Sequence, residues 1–334
     1  MNSLVLSRVF WLLLLLPAAC SRSGTAWAPV RIDGSSTVFP LAEAVAEDFQ
    51  REVGGRIRVT VGLAGTGGGL KRFCRGEIDI ATASRPISRD ELRQCARAGI
   101  AFHELPIAFD ALTIVVHPDN HFVDQLSLAQ LKLLWQPQAQ QRVLRWRQLD
   151  PRWPDEPVQL YGAGADSGTY DYFTSVVTGH ARSSRGDYTA SEDDNVLVQG
   201  VQADRHALGY FGYAWYATYA AQLRAVPISA GAGAPAVLPS PGSVRDGSYQ
   251  PLSRPLLLYV SAAARQRPAV RELLAWWLRH AQALADEVRL IALTADDYRR
   301  VGALLAGGRT GSAFAGAQRP GLDIDRMLTP ELGP

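Results

Sequence analysis

Three short loops constrain this chain more than anything else in it. Gly34-Ser35-Ser36-Thr37, Gly65-Thr66-Gly67-Gly68-Gly69 and Asp166-Ser167-Gly168-Thr169 each follow a strand-like segment and precede a helix-like one. Arg31-Ile32-Asp33 leads into the first loop, and Leu41, Val45 and Phe49 then recur every four residues, the spacing of one helix face. Ile57 to Val61 alternates as a strand before the second loop, and Leu70 to Arg75 reads as a helix after it. Val158 to Tyr161 reads as a strand before the third, whose helix runs through Val177. Ile78-Asp79-Ile80 is a short buried strand, 90–98 a polar helix, and Ala111 to Val116 a strongly β-prone run. This rhythm predicts an α/β sandwich around a mostly parallel sheet.

The same loops carry a chemistry. A helix start has unpaired backbone N–H groups and the positive end of the helix dipole. Glycine lets the backbone approach a ligand closely, and Ser and Thr hydroxyls add adjustable donors. Together these bind a small oxyanion without many formal charges. One such loop says little, because Ser or Thr at a helix start is ordinary. Three in one chain point to a shared ligand.

Composition sets the outer limits. The 334 residues suffice for about two ordinary domains with a large core. With 47% hydrophobic and 20% charged residues the chain is not disordered, and a net charge of +2 is no nucleic-acid footprint. Only Lys71 and Lys132 are lysines, so 32 of the 34 basic residues are arginine. Coding bias explains that surplus; a preference for forked, anion-binding guanidinium is the alternative.

The start of the chain reads as an address. Arg8 precedes an apolar run from Val9 to Ala19, about 11 residues, too short to span a bilayer but suited to a signal peptide. Ala18-Ala19-Cys20 resembles a bacterial lipoprotein box, with Pro17 where Leu is usual. Residues 1–19 are therefore expected to be a signal peptide, Cys20 to be lipidated, and 20–27 to form a tether; cleavage without lipidation is the alternative. The expected location is periplasmic, at the membrane. In that oxidising compartment Cys74 and Cys95 read most simply as a disulfide, with two buried thiols as the other possibility. No His or further Cys stands at ligand spacing, so no metal is expected, and no cofactor either.

Beyond the first 120 residues, Leu126 to Trp135 and Asn195 to Asp204 read as helices, Pro255 to Val260 as a strand, and 268–286 and 294–305 as closing helices. Residues 229–247, rich in Gly, Ala, Pro and Ser, are the linker candidate, and the tail from Gly307 reads as loosely held. Trp276-Trp277 fits core packing better than sugar stacking.

Six blocks now carry a resemblance. Ile32-Asp33-Gly34-Ser35-Ser36-Thr37-Val38-Phe39-Pro40, the Gly65–Gly69 loop, Ala83-Ser84-Arg85-Pro86-Ile87, Asp166 to Phe173, Ala207 to Tyr213 and Pro251-Leu252-Ser253-Arg254-Pro255-Leu256 resemble, in order, the phosphate-binding proteins of phosphate ABC transporters. The resemblance spans 31 to about 300 and implies a type II periplasmic-binding-protein fold, with two α/β lobes joined by two crossing strands. The crossings are expected near Phe109–Ala111 and Pro251–Pro255. Lobe I would comprise 28–108 and 253–334, and lobe II 109–252. The implied ligand contacts are Ser36, Thr37 and the Val38 N–H from the first loop, Thr66 and Gly67 from the second, and Ser167, Gly168 and Thr169 from the opposing lobe.

Two departures from that family pattern matter. Many relatives have Asp where this chain has Arg85, and an Arg shortly before Ser-Gly-Thr where this chain has Gly162-Ala163-Gly164. Arg85 is expected to supply the missing guanidinium from the other lobe, the alternative being a surface arginine that caps a turn. Hydrogen phosphate carries a proton and sulfate at neutral pH does not, so a buried carboxylate would favour phosphate. Asp166 is the first candidate, with Asp194 behind it; the alternative is that Asp166 only caps its helix or orients Arg85. The implied partners are inorganic phosphate, an inner-membrane permease and its ATPase; the protein itself is expected to be a monomer that binds no nucleic acid. Another oxyanion such as sulfate, or a ligand-free adaptor role, is the alternative. Gly164-x-Asp166-Ser167-Gly168 is not a Gly-x-Ser-x-Gly nucleophile elbow, and an enzyme (a phosphatase) is not the expected reading.

Overall fold

The computed structural model describes residues 27–165, 167–191, 193–231, 233–314, 316 and 324–329. The expected signal peptide, Cys20 and Asp166 lie outside the described residues. Three strand–helix units open the chain: β1 (Val30–Gly34) and α1 (Phe39–Glu52), β2 (Val59–Val61) and α2 (Gly65–Cys74), β3 (Ile80–Ala83) and α3 (Arg89–Arg97). The long strand β4 (Phe102–Val116) follows, then β5 (Leu126–Ser127), α4 (Leu128–Trp135), β6 (Gln159–Ala163), α5 (Gly168–Val177), β7 (Thr189–Ser191) and α6 (Asp194–Ala203). Next come β8 (Ala207–Gly212), α7 (Tyr213–Thr218), β9 (Arg224–Ala225), β10 (Ile228–Ser229), β11 (Ala236–Val237) and α8 (Pro241–Arg245). β12 (Ser253–Ser261), α9 (Pro268–Glu287), β13 (Ile291–Ala292), α10 (Ala295–Gly307) and α11 (Ile324–Leu328) complete the order.

The main sheet runs β2-β1-β3-β12-β4-β8-β6-β7. β4 belongs to both of its halves and is buried along its whole length. Its Phe102–Ala111 stretch pairs antiparallel with β12, and its Leu112–Val116 stretch pairs antiparallel with β8. The chain therefore passes from one half to the other at Ala111–Leu112. It returns beside that point, where the Leu112 N–H donates to the Leu252 carbonyl at 2.8 Å and Ser253 stands opposite Ala111. Within each half the strands that precede the Gly-rich loops pair in parallel: β1 with β2 and β3, and β6 with β7 and β8. In such sheets ligands gather outside the carboxyl ends of the strands.

Apolar spacing explains the helices. Leu41, Val45 and Phe49 are fully buried on one face of α1, where the Phe49 ring meets Trp276 of α9 edge-on at 5.8 Å. Trp277 is buried as well. In the other half Trp135 sits edge-on to Phe173, Tyr188 and Tyr210. Cys74, the last residue of α2, is disulfide-bonded to Cys95 of α3, 21 residues on.

The structure differs from the sequence reading in several places, first in the sheet, which is mixed rather than mostly parallel because β12 and β4 pair antiparallel with their neighbours. Gly65–Gly69 is not a loop ahead of its helix but the opening turns of α2. Leu126–Ser127, read as helix, is a strand, and Ser127 caps α4 through a reciprocal bond with Gln130. The 229–247 stretch is no linker, because β10 and β11 pair with each other and with β5, and Ser240 caps α8. The described start of the tail is tied down: the Gly311 N–H donates to the Phe102 carbonyl, and Ser312 and the Ala313 N–H donate to Glu104.

Candidate anion-binding cleft

The Gly-rich segments converge. A cleft of about 900 Å³ lies between the two halves, lined by Ser35 and Ser36 from the first segment, Gly65, Thr66 and Gly67 from the second, and Gly168 from the third. The first segment is placed by a close approach. Gly34 has φ 145°, and a Cβ there would lie 2.1 Å from the Thr82 carbonyl oxygen, so no other residue fits. The Ser35 N–H donates to that same carbonyl at 3.0 Å. Opposite, a Cβ on Gly168 would lie 2.9 Å from Ser36 Oγ and 3.0 Å from Thr37 Oγ1, so the loops of the two halves touch at this glycine.

Two of the three helices that begin here have no side-chain cap: α1 starts behind Val38 and α2 behind Ala64. At α2 the first N–H groups and the positive dipole end are therefore available to a ligand, whereas α1 offers fewer donors, because the Phe39 N–H already donates to the Ser35 carbonyl at 3.0 Å and Pro40 has no N–H. The third, α5, is capped by Ser167, whose Oγ accepts from the Thr169 N–H at 3.1 Å. Val38 is less free than expected, because its N–H donates to the Ser35 carbonyl at 3.2 Å. The Thr66 hydroxyl is held in place by Ser84, accepting from its N–H at 3.1 Å and lying 3.2 Å from its hydroxyl.

The charges are distributed differently from the sequence reading. Arg85 does line the cleft, and its side chain is one-third exposed. Its two terminal nitrogens both donate to Glu91, at 2.9 and 2.8 Å. Burial pushes the Glu91 carboxyl up, but the bonds from Arg85 and from Ser88 outweigh it and hold the group below its ordinary range. The Arg85 charge thus arrives already compensated. Asp194 lies in the first turn of α6 and does not line the cleft.

The buried cation of the cleft is Arg254, which sequence reasoning missed. It stands at the start of β12, where the chain returns between the halves. Its Nε and Nη2 donate to Asp110 Oδ2 of β4 at 3.0 and 2.8 Å. Nη2 also lies 3.2 Å from Thr37 Oγ1 of the first loop and 3.4 Å from the Gly168 carbonyl of the third. Tyr172 of α5 packs its ring 4.1 Å beneath the guanidinium, and the Tyr172 hydroxyl lies 2.6 and 2.7 Å from the Pro251 and Ser253 carbonyls. Burial pushes that phenol far above its ordinary range, so it stays neutral. A signal for Arg254 was present: an arginine flanked by Pro251-Leu252 and the apolar run 255–260 is a cation carried into a core strand. Arg182, also unpredicted, lines the opposite wall, donating to Asp171 at 3.0 Å and to the Ala165 carbonyl at 2.9 Å.

Two α/β lobes joined by crossing strands, with helix starts facing a common cleft, define the class of two-lobed ligand-binding proteins. Residues 21–280 match the model of the PBP superfamily domain. The chain is 44% identical over 320 residues to protein SphX of Synechocystis, which covers 95% of this chain and 94% of that one. It is 34% identical to the phosphate-binding protein PstS of Staphylococcus saprophyticus over 85% of this chain and 88% of that one. Among solved structures, a possible phosphate-binding protein from Planctomyces limnophilus shares 43% identity at a TM-score of 0.76, covering 84% of this chain and 98% of its own. A putative phosphate ABC transporter substrate-binding protein from Clostridium perfringens, solved with bound phosphate, shares 25% identity at a TM-score of 0.58, covering 80% of this chain and all of its own. The chain belongs to this family of phosphate-binding proteins, a family of exported substrate-binding proteins rather than enzymes.

Proposed function

We propose that this protein captures inorganic phosphate in the cleft and delivers it to an ABC permease driven by a separate ATPase. The observation that carries this reading is Arg254. One buried guanidinium touches the first loop, the third loop and the point where the chain crosses between halves. An anion seated on Arg254, the open start of α2, and the hydroxyls of Ser36 and Thr37 would bridge both halves, with Val38, Thr66, Gly67, Ser167, Gly168 and Thr169 completing the enclosure. Arg85, paired with Glu91, serves at the rim as a screened positive charge. Asp166 remains the proposed acceptor for the phosphate proton.

Lobe I in this reading comprises 28–108 and 253–334 and lobe II 109–252, closing about the strand crossings. Micromolar capture needs about 8 kcal/mol net, within reach of several charge-assisted hydrogen bonds after the costs of closure. The protein acts as a monomer outside the inner membrane, held there through a lipid on Cys20, and catalyses no reaction. Equilibrium binding of radiolabelled phosphate, competed with arsenate and with sulfate, tests the assignment. Arsenate is expected to compete and sulfate to fail at a hundredfold excess. Equal competition by sulfate would reassign the site to oxyanions generally.

A further inference from the structure

We infer that Asp33 is a positioning residue for the anion site, fixing the start of α2 with a carboxylate whose charge Arg72 cancels; this rests on the reading of the cleft as an anion site. Asp33 is 2% exposed at the end of β1, directly before the first loop. Its Oδ1 accepts from the N–H of Ala64, the residue that precedes α2, at 2.8 Å. Its Oδ2 accepts from Nη1 of Arg72, two turns further along the same helix. The space for that carboxylate is made by glycine, since a Cβ on Gly62 would lie 2.6 Å from Asp33 Cγ. A second close approach locks the same pair of segments: a Cβ on Gly69 would lie 2.5 Å from the Gly34 Cα. The start of α2 is thus tied to the strand that leads into the first loop by a single carboxylate behind it.

A buried carboxylate behind an anion site would by itself repel the ligand. The Arg72 guanidinium, exposed on its outer side, cancels that charge without entering the cleft. Position and charge are thus separable. Asp33→Asn keeps an oxygen for the Ala64 N–H and removes the negative charge. Asp33→Ala removes both. Arg72→Met leaves the carboxylate in place and uncompensated.

The test combines phosphate titration with hydrogen exchange of the amides of 63–68 in the ligand-free protein. Asp33→Asn is expected to bind phosphate within about threefold of wild type or tighter, and Asp33→Ala at least tenfold more weakly, with exchange at 63–68 accelerated in Asp33→Ala alone. Arg72→Met is expected to bind at least fivefold more weakly, and the Asp33→Asn/Arg72→Met double variant to recover that loss. A purely electrostatic role would make Asp33→Ala bind more tightly than wild type, and a purely structural one would make the double variant worse than either single; either outcome overturns the inference, as does unchanged exchange in Asp33→Ala. Exchange needs no ligand, so failure of wild type to bind phosphate refutes the proposed function while the positioning of 63–68 is still decided.

Discussion

Arg254 and Asp110 stand opposite each other in register on the antiparallel pair β12 and β4, joined by two hydrogen bonds to one carboxylate oxygen. The pair lies one residue before β4 changes its partner from β12 to β8. The ion pair, the crossing and the meeting point of two ligand loops therefore coincide. Asp110 orients the guanidinium, and the ring of Tyr172 fixes its plane. The proposed anion contact and the connection between the halves are built from the same residues.

Replacing Arg254 separates binding from folding. Arg254→Ala is expected to weaken phosphate binding by about 1.5–3 kcal/mol, roughly ten- to a hundredfold. It should also cost about 3–5 kcal/mol of stability, because Asp110 is left buried and unpaired. Arg254→Ala/Asp110→Asn should regain much of the stability and none of the affinity. Denaturant unfolding and calorimetry on the three variants check both halves of the statement.

The contact at Gly168 makes a prediction about closure. A methyl group there meets the Ser36 and Thr37 hydroxyls of the facing loop. Gly168→Ala is expected to lose about 1–3 kcal/mol of binding through overpacking, with the melting temperature of the ligand-free protein nearly unchanged. Thermal shift with and without phosphate measures both.

Arg85 and Glu91 give a pH dependence whose sign is fixed. Glu91 titrates below its ordinary value of 4.5 in the folded chain. Its contribution to stability is therefore complete above about 4.5 and is lost as the pH falls through the lower folded value. Glu91→Gln should lower stability near neutrality, where that contribution is complete, and flatten the profile in the acidic window, where the two proteins converge. Urea midpoints from pH 3 to pH 7 supply the comparison.

Reduction of the Cys74–Cys95 bond should lower stability by about 3 kcal/mol, the value for a loop of this length. Urea midpoints with and without reductant, on wild type and on Cys74→Ser/Cys95→Ser, read it directly. The double serine variant should be insensitive to reductant.

Much of the architecture was legible because local signals and tertiary demands agree. The four-residue spacing of Leu41, Val45 and Phe49 describes a helix face, and that face is buried. The Gly and Ser/Thr runs at strand ends mark backbone that must approach something closely, and Gly34 and Gly168 do so. What could not be read was pairing over long range. Asp110 and Arg254 are 144 residues apart, and only the antiparallel register of β4 and β12 brings them together. Arg85 was the more visible arginine because it stood in a turn beside a Gly-rich loop, but its neighbour Glu91 had already taken the charge. Gly65–Gly69 read as a loop because five residues with four glycines have poor helix propensity, which packing against Gly34 overrides.

The central claim is that this cleft captures a single phosphate. A calorimetric titration of the wild-type protein with inorganic phosphate at neutral pH tests it most directly. The account predicts one site per chain with micromolar or tighter affinity; a flat titration with folded protein would contradict it.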